Sequence, residues 1–303
     1  MPIKANPFNS IKFRSIHKTT SRAMKIAITG ARGTVGREVV KLCAKEGHET
    51  VQINRTDQEK DDTPNTEMRT ADAATSYEDT VKAFKGCDAI IHLAAIPNPV
   101  GKADTEVFSN NVLAAFNGLR AAAENGIKRF CYASSVNAIG LAYANQPLKF
   151  PYFPIDEDYP VNPTDAYALG KVEAEAAARA FPNWFPGMKV ACLRIHEVAG
   201  RKDVLQEHKE NWEDAGVKQL WSWVNPVATA RACLLSVTES DKFEGFEIFN
   251  ILAPDTTQDT PSKDLAAKYY PNVELKSDMS TNRAFWTTEK AERILGWKHH
   301  EKE

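Results

Sequence analysis

Three glycines separate a short apolar run from a helical pattern near the start of the chain. Residues 25–29 form the apolar run, and Gly30, Gly33 and Gly36 occupy the turn that follows it. Glycine permits a tight turn, lets a ligand approach the backbone without meeting a Cβ atom, and allows a helix to pack closely against a strand. The first N–H groups of the helix would face that turn and attract an anion such as a pyrophosphate. The turn therefore predicts a strand–helix unit that binds a phosphate-bearing ligand.

A second apolar run, residues 50–53, follows at the distance that a βαβ unit requires. A glycine triplet alone is weak evidence, since many strand–helix turns carry glycine, but this context favours a dinucleotide site. We expect the turn to contact the dinucleotide through Gly30, Arg32, Gly33, Thr34, Val35 and Gly36.

Apolar runs and alanine-rich helical patterns alternate along the first two thirds of the chain. The runs lie at 25–29, 50–53, 89–94, 128–133 and 189–195, and the helical patterns at 36–46, 76–85, 105–125 and 165–181. Continuous apolar runs are typical of parallel strands that are buried on both faces. This rhythm predicts an α/β fold with a doubly wound parallel (Rossmann) sheet.

The alternation weakens after residue 195, which indicates a second, smaller unit. We expect a Rossmann domain from 24–199 and 224–252, and a small C-terminal substrate-binding cap from 200–223 and 253–303. Loops, a short strand and a closing helix are expected in 253–303. Residues 143–163 contain five prolines among aromatic residues. A connection of that length is typical of a functional loop.

Charge and cysteine content exclude several classes of partner. The formal net charge of the 303 residues is −2, so no basic field favours nucleic acid or an anionic membrane. The five cysteines are scattered singly, which fits free thiols in a reducing compartment rather than disulfides or a zinc site. No apolar run reaches the 18 or more residues of a spanning helix. We therefore expect a cytoplasmic protein with a small-molecule substrate, no bound metal, and neither nucleic acid nor membrane as partner.

Residues 1–23 differ from the rest, because lysines and arginines stand there among serines and threonines with no acidic residue. We expect a disordered basic extension. The same composition is found in organelle transit peptides, so a mitochondrial location is the alternative.

A phenol and an ammonium lie four residues apart at Tyr167 and Lys171, and a helix would place both on one face. A nearby cation lowers the pKa of a phenol from its usual value of about 10, which makes proton exchange easier near neutrality. The pair is a candidate acid/base. Such pairs also arise by chance on solvated helices, and this alternative stays open.

Hydroxyl groups end the apolar run 128–133 at Ser134 and Ser135. The carboxyl ends of strands are where ligands bind in open α/β sheets, so Ser135 is a candidate to hydrogen-bond the reacting oxygen. The alternative is that both serines only satisfy the backbone of the following loop.

The end of the second apolar run indicates which nicotinamide cofactor the site prefers. An acidic residue there usually accepts both ribose hydroxyls of NAD, but this chain has Asn54 and Arg55. Arg55, together with Arg32 or Arg37, could pair with the 2′-phosphate of NADP. NADP is favoured on this ground. NAD is the alternative, with Asn54 on the ribose and Arg55 in solvent.

The motifs taken together resemble the extended short-chain dehydrogenases/reductases, also called the NAD-dependent epimerase/dehydratase family. They are TGARGTVG at 29–36, Asp72, IIHLAA at 90–95, Asn111, YASSVNAIG at 132–140, YALGK at 167–171 and LRI at 193–195.

That resemblance implies Ser135, Tyr167 and Lys171 as the catalytic set, with Tyr167 as acid/base and Lys171 on the ribose. It also implies that the cofactor is lined by Asp72, Ala94, Ala95, Asn111 and Ile195, with Asp72 on the adenine amine. A homodimer formed through two long helices is a further implication.

A narrower resemblance is to uronate dehydrogenases, in which the arginine of the LRI segment would bind a sugar carboxylate. Arg194 could instead be the more general arginine of the family at this place. Further candidates to shape the substrate pocket are Asn137, Tyr143, His196 and Trp223. We take His92 to be a packed strand residue.

The reaction that these residues favour is hydride transfer between a nicotinamide and a carbon that bears a hydroxyl or carbonyl, on a sugar-like or small metabolite. Tyr167 would exchange the proton on that oxygen. The alternative is a nucleotide-sugar epimerase or dehydratase with tightly held NAD. A cofactor sensor without chemistry is less favoured, because Ser135, Tyr167 and Lys171 are all present.

Overall fold

The computed structural model describes residues 23–57, 62–210 and 212–300. The expectations for the basic extension 1–23 therefore fall, except for Ala23, outside the described residues. None of the helices in these ranges combines the length and apolar character that would let it cross a membrane.

The predicted doubly wound sheet is confirmed, and it has seven parallel strands. They are β1 (Lys25–Thr29), β2 (Glu49–Asn54), β3 (Thr66–Thr70), β4 (Ala89–His92), β5 (Arg129–Ser135), β7 (Lys189–Ile195) and β8 (Phe246–Ile251), with β6 (Tyr152–Phe153) and β9 (Glu274–Leu275) forming a separate parallel pair. The order in the sheet is β3-β2-β1-β4-β5-β7-β8. The order reverses between β1 and β4, so a crevice opens at the carboxyl ends of these two strands.

Six helices cover the two faces of the sheet, with α1, α7 and α9 on one face and α2, α3 and α4 on the other. The helices of the described residues are α1 (Thr34–Lys45), α2 (Tyr77–Phe84), α3 (Asp104–Glu124), α4 (Ala166–Trp184), α5 (Arg201–Glu207), α6 (Trp212–Gln219), α7 (Pro226–Thr238), α8 (Ser262–Tyr269) and α9 (Glu289–Leu295). Successive residues of β1 face opposite sides of the sheet and lie in two different cores. Ile26 and Ile28 pack in the core with α1 and α7, whereas Ala27 packs in the core with α3 and α4. Burial on both faces explains why these strands are apolar throughout.

The cap has a core of its own, and its boundaries differ from the prediction. Phe150, Phe153 and Tyr159 of the proline-rich segment pack with Tyr270 and Phe285. This segment therefore belongs to the cap, not to the Rossmann domain as expected. Its aromatic residues are buried because they form part of the core of the cap.

The C-terminal helix also departs from its predicted place. Ala291, Leu295 and Trp297 pack in the same core as α1 and α7, and Trp297 Nε1 donates to the Ala228 carbonyl at 2.9 Å. The last helix thus covers the sheet instead of extending the cap. Sequence periodicity could not show this, because an apolar helix face does not specify its partner.

The five cysteines, Cys43, Cys87, Cys131, Cys192 and Cys233, are free and buried. Burial raises the pKa of Cys87 to about 11, so this thiol is protonated and packs as a small apolar side chain.

Candidate active site

The glycine turn joins β1 to α1 at the point where the strand order reverses. Gly30 has φ +66°, and a Cβ atom there would lie 3.1 Å from the Ala94 backbone nitrogen. A Cβ atom on Gly36 would lie 2.4 Å from the Gly30 carbonyl oxygen. The first glycine therefore allows the close crossing with the loop after β4, and the third allows α1 to start directly against the turn.

The N-terminus of α1 is open to a ligand. Gly33 is its N-cap and supplies no side-chain hydrogen bond, while Gly33 and Thr34 are both exposed. The first N–H groups of this 12-residue helix have no side chain capping them and face the crevice. This is the arrangement that binds phosphate at helix N-termini.

Thr29 fastens the loop after β4 to the glycine turn. Its Oγ1 accepts from the backbone N–H groups of Leu93 and Ala94, both at 3.1 Å, and lies 3.0 Å from His92 Nδ1. With both lone pairs used, the hydroxyl hydrogen of Thr29 is left to donate to Nδ1. His92 is fully buried, and burial lowers its pKa to about 3, so it is a neutral packed residue as expected.

Asn111 holds the same loop from the other side. Its Oδ1 accepts from Ile96 N at 2.7 Å and its Nδ2 donates to Ile96 O at 3.0 Å, and the residue is buried. Both ends of the amide are thus engaged. Asn111 thereby positions the segment that contains Ala94 and Ala95, and its contact with the cofactor stays a prediction.

The residues expected near the adenosine lie at the carboxyl ends of β2 and β3. The Asn54 Oδ1 accepts from the Arg32 backbone nitrogen at 3.3 Å, which ties β2 to the glycine turn. Arg55 is exposed beyond it, and the Arg32 guanidinium reaches Met68 Sδ at 3.8 Å. Asp72 follows β3 and accepts from Ala74 N at 3.0 Å. The four side chains therefore border one end of the crevice.

The three predicted catalytic residues meet at the carboxyl edge of β5. The Asp165 side chain caps α4 by accepting from Ala168 N at 2.9 Å, and the first turn of that helix carries Tyr167. Lys171 Nζ donates to the Ala133 carbonyl at 2.6 Å and lies 5.5 Å from the centre of the Tyr167 ring. Ser135 hydrogen-bonds Tyr167. A phenol, a hydroxyl and an ammonium thus converge on one point.

Burial dominates the protonation of this group. It raises the pKa of Tyr167 above its usual value, and the hydrogen bond from Ser135 opposes the rise. Burial also lowers the pKa of Lys171 to about 8, against the opposing charge of Glu175. In the structure described, burial outweighs any lowering by the Lys171 charge, and the pKa of Tyr167 lies above its usual value. Tyr167 is protonated at neutral pH and can donate a proton to a carbonyl oxygen.

Arg194 does not line the pocket. Only 3% of the residue is exposed, and its Nε and NH2 groups donate to the two carboxylate oxygens of Glu175 at 3.0 and 2.8 Å. The NH1 group also reaches the Glu157 carbonyl at 3.4 Å. The expectation that Arg194 binds substrate is therefore corrected, because a buried guanidinium engaged by a carboxylate cannot reach one on a ligand. Neighbouring Ile195 pairs with Ser135 in the sheet, at the edge of the crevice.

The other substrate candidates divide into two groups. Asn137 contacts Ser135 Oγ through its backbone nitrogen at 3.2 Å, and the Tyr143 ring lies edge-on to Tyr167 at 6.1 Å. These two lie beside Ser135 and Tyr167. His196 and Trp223 are 4% and 3% exposed and serve packing instead.

The pair Glu197 and His208 lies at the same sheet edge and was missed by the sequence analysis. His208 Nε2 is 2.9 Å from Glu197 Oε1, and the charge of Glu197 helps to raise the pKa of Tyr143 after burial. Ten residues of loop and helix lie between the two, and no known motif has this spacing, so the sequence could not indicate the pair. The carboxylates of Asp165 and Glu207 act on Tyr143 in the same direction, so three acidic side chains surround this phenol.

A parallel sheet with a glycine turn at its reversal point, and a Ser–Tyr–Lys set beside it, defines a Rossmann-fold protein of the short-chain dehydrogenase type. Residues 26–217 match the NAD dependent epimerase/dehydratase family. The chain belongs to this family, which confirms the resemblance seen in the sequence.

Two curated relatives share part of the chain. An L-arabinose 1-dehydrogenase (NAD(P)(+)) of Haloferax volcanii is 30% identical over 203 residues, which cover 65% of this chain and 76% of that protein. A GDP-mannose 3,5-epimerase of Arabidopsis thaliana is 27% identical over 233 residues, covering 74% of this chain but only 56% of that protein. This chain thus spans little more than half the length of the plant epimerase.

A solved structure described as a mutated uronate dehydrogenase has the same fold. It superposes with a TM-score of 0.65 at 20% identity, over 92% of this chain and 82% of the other. At this identity the likeness is one of fold alone.

Proposed function

We propose that this protein is an NAD(P)-dependent oxidoreductase that transfers hydride between the nicotinamide and a hydroxyl or carbonyl carbon of a sugar-like substrate. The observation that supports it best is the buried convergence of Ser135, Tyr167 and Lys171 beside the glycine turn. The relatives named as a dehydrogenase and an epimerase of sugars fit the same proposal.

The residues at the crevice fit a dinucleotide. The uncapped N-terminus of α1 would hold the pyrophosphate, and Ala94 and Ala95 offer small side chains beside it. The bound cofactor would supply or accept the hydride. Gly30, Arg32, Gly33, Thr34, Val35 and Gly36 would contact it at the turn, with Asp72 and Ile195 further along the crevice.

The chain's own residues would handle the proton. Ser135 would hydrogen-bond the substrate oxygen, and Tyr167, which is protonated at neutral pH, would donate to it during reduction. During oxidation the phenolate would accept that proton, helped by the Lys171 ammonium. Lys171 would also bind the ribose hydroxyls.

The test is a fluorescence titration of the purified protein with NADH and NADPH, followed by turnover assays with neutral aldoses such as L-arabinose and with uronates. Binding of either nucleotide with turnover of a sugar supports the proposal, and Tyr167→Phe should keep binding while losing turnover. Absence of binding at any pH would refute it. The acidic surroundings of Tyr143 favour neutral sugars over uronates.

We further propose a preference for NADP over NAD. The support is that Arg55 is exposed beside Asn54, where a carboxylate would repel the 2′-phosphate, with Arg32 nearby. Arg55→Ala should weaken NADPH binding and leave NADH binding unchanged. Lys45→Ala, an exposed cation at the far end of α1, is the matched control. If Arg55→Ala lost equal affinity for NADPH and NADH, the proposed preference for NADP would be contradicted.

The second candidate is a nucleotide-sugar epimerase, which the relation to the plant GDP-mannose 3,5-epimerase favours. The same Ser135, Tyr167 and Lys171 would serve a transient oxidation. Protein purified with cofactor retained, and without net turnover of free sugars, would support this candidate over the first.

A homodimer through α3 and α4 is also proposed. Leu113, Phe116 and Leu169 expose 47%, 38% and 40% of their surface on these two helices, which pack against each other. Light scattering coupled to size-exclusion chromatography should report a dimer, and Phe116→Glu should yield a monomer.

We also propose that the protein is located in the cytoplasm, which imaging of the tagged protein in cells would test.

A further inference from the structure

One face of α4 carries three ionisable residues at four-residue spacing: Tyr167, Lys171 and Glu175. All three are buried, with Glu175 5% and Lys171 3% exposed. The proposed chemistry uses the first two of them. Within the described structure Glu175 is hydrogen-bonded to neither Tyr167 nor Ser135, yet its carboxylate accepts three hydrogen bonds.

Three hydrogen bonds anchor the Glu175 carboxylate. Ser134 Oγ donates to its Oε1 at 2.6 Å, and Arg194 donates to Oε1 and Oε2 at 3.0 and 2.8 Å. These partners lie on β5 and β7, so the carboxylate joins α4 to the two strands. Ser134 precedes Ser135, and the contact therefore fixes the strand end that carries the proposed catalytic hydroxyl.

Stability alone is a weak explanation for this arrangement. The free energy needed to remove two charges from water offsets much of the stabilisation from their attraction. Well-packed apolar residues in the same place would often stabilise the fold equally. The position of Glu175, one helical turn from Lys171, indicates another role.

The surroundings of Lys171 show what that role is. The groups that face it are His92 on β4, Tyr132 on β5, Cys192 on β7, and Tyr167 and Glu175 on its own helix. His92 is neutral because its pKa is lowered to about 3, and burial raises the pKa values of both tyrosines and the thiol. Glu175 is thus the anion among these described neighbours of Lys171.

We propose that Glu175 is a positioning residue for this site: held by Arg194 and Ser134, its carboxylate keeps the buried Lys171 in the charged form and fixes the end of β5 beside Tyr167. This inference rests on the proposed function, because a charged Lys171 matters only if it binds ribose and supports Tyr167. It assigns Arg194 to the catalytic scaffold rather than to the substrate.

The consequence is a pH dependence with a definite sign. Burial lowers the pKa of Lys171 to about 8 while Glu175 opposes the fall. Without the carboxylate, the pKa should fall further, by about one unit for a neighbouring charge of this kind. Cofactor affinity should then be unchanged at pH 6 and about five-fold weaker than wild type at pH 8, since the charged fraction of Lys171 changes by that factor.

The experiment compares wild type with Glu175→Gln, titrated with NADH and NADPH from pH 6 to 9. Glu173→Gln, an exposed residue on the same helix, is the matched control. Since Glu175→Gln leaves Arg194 buried without its carboxylate, the double variant Glu175→Gln/Arg194→Gln is made in parallel to preserve the fold. The ¹³Cε resonance of Lys171, assigned by its loss in Lys171→Met, gives the ionisation in the free protein.

A Lys171 titration that moves to lower pH in the Glu175 variants, but not in Glu173→Gln, supports the proposal. Unchanged titration in both Glu175→Gln and the double variant would overturn it, even if the variants were less stable, since loss of the Arg194 charge in the double variant alone could offset loss of the carboxylate. Wild type that shows the expected Lys171 titration but binds no nucleotide would refute the proposed function instead, so the two failures are distinguishable.

Discussion

Replacing Gly36 with alanine tests how closely the helix must approach the glycine turn. The new Cβ atom would lie 2.4 Å from the Gly30 carbonyl oxygen and 2.7 Å from two backbone atoms of Ala31. Ordinary contact begins at 3.4 Å, so the N-terminus of α1 must retreat by about 1 Å. All three obstructing atoms are backbone, and no side chain can move aside to relieve the contact.

The size of the effect follows from hydrogen-bond geometry. A retreat of about 1 Å takes an N–H···O contact with the pyrophosphate from about 2.9 Å to about 3.9 Å, beyond hydrogen-bonding distance. A hydrogen bond to a charged group contributes about 1.5–3 kcal/mol. Losing one should weaken nucleotide binding about ten- to hundredfold. The fold should lose about 1–3 kcal/mol through overpacking, offset in part by the better helix propensity of alanine.

The assay is nucleotide binding by tryptophan fluorescence together with urea unfolding. Gly126→Ala is the control: Gly126 has φ +70° beyond the end of α3, and a Cβ atom there meets nothing within 4 Å. Gly126→Ala should lower the free energy of unfolding by an amount comparable to that of Gly36→Ala without changing the affinity for the nucleotide. If Gly36→Ala binds nucleotide as tightly as wild type, the close approach of α1 has no part in binding and the reasoning fails.

Four further outcomes are expected. Tyr167→Phe should lower turnover by at least about a hundredfold and leave nucleotide affinity within about twofold, measured by steady-state kinetics and titration. Arg194→Ala should destabilise the fold by about 3–5 kcal/mol in urea, because it leaves Glu175 buried without its ion pair; a loss below about 1 kcal/mol would contradict the burial described. Asn111→Ala should weaken nucleotide binding by loosening the loop at Ile96, whereas unchanged affinity would deny it that role. Burial lowers the pKa of His196 to about 4, so the stability it contributes is complete above about pH 6.5 and falls by about 2 kcal/mol at pH 5; His196→Gln should flatten that part of the urea-midpoint profile.

The sequence predicted the sheet because burial on both faces leaves an unbroken apolar run, as in β4 and β7. It did not predict β3, whose residues Thr66–Thr70 are polar and half exposed at the sheet edge. Strand pairing there depends on the neighbouring β2, which an isolated stretch of sequence does not record.

The candidate site was predictable where one short segment carries several groups. Tyr167 and Lys171 share a helix, and the turn at Gly30 is contiguous, so spacing sufficed for both. Arg194 was misplaced because its partner, Glu175, lies on another element, and an arginine near a strand end looks the same whether it faces a ligand or a buried carboxylate. Long-range pairing of this kind becomes visible only in the folded chain.

The return of α9 to the sheet affects the order in which the protein can be completed. Trp297 is 1% exposed and packs in the layer formed by α1 and α7, and the segments of the cap lie between α1 and Trp297 in the chain. During synthesis the first strands emerge early, yet this layer stays incomplete until α9 and Trp297 have left the ribosome. The cap segments are therefore inserted into a domain whose packing is completed only by α9. A chain that lacks α9 and Trp297 would leave the apolar side chains of α1 and α7 that pack against them exposed to solvent.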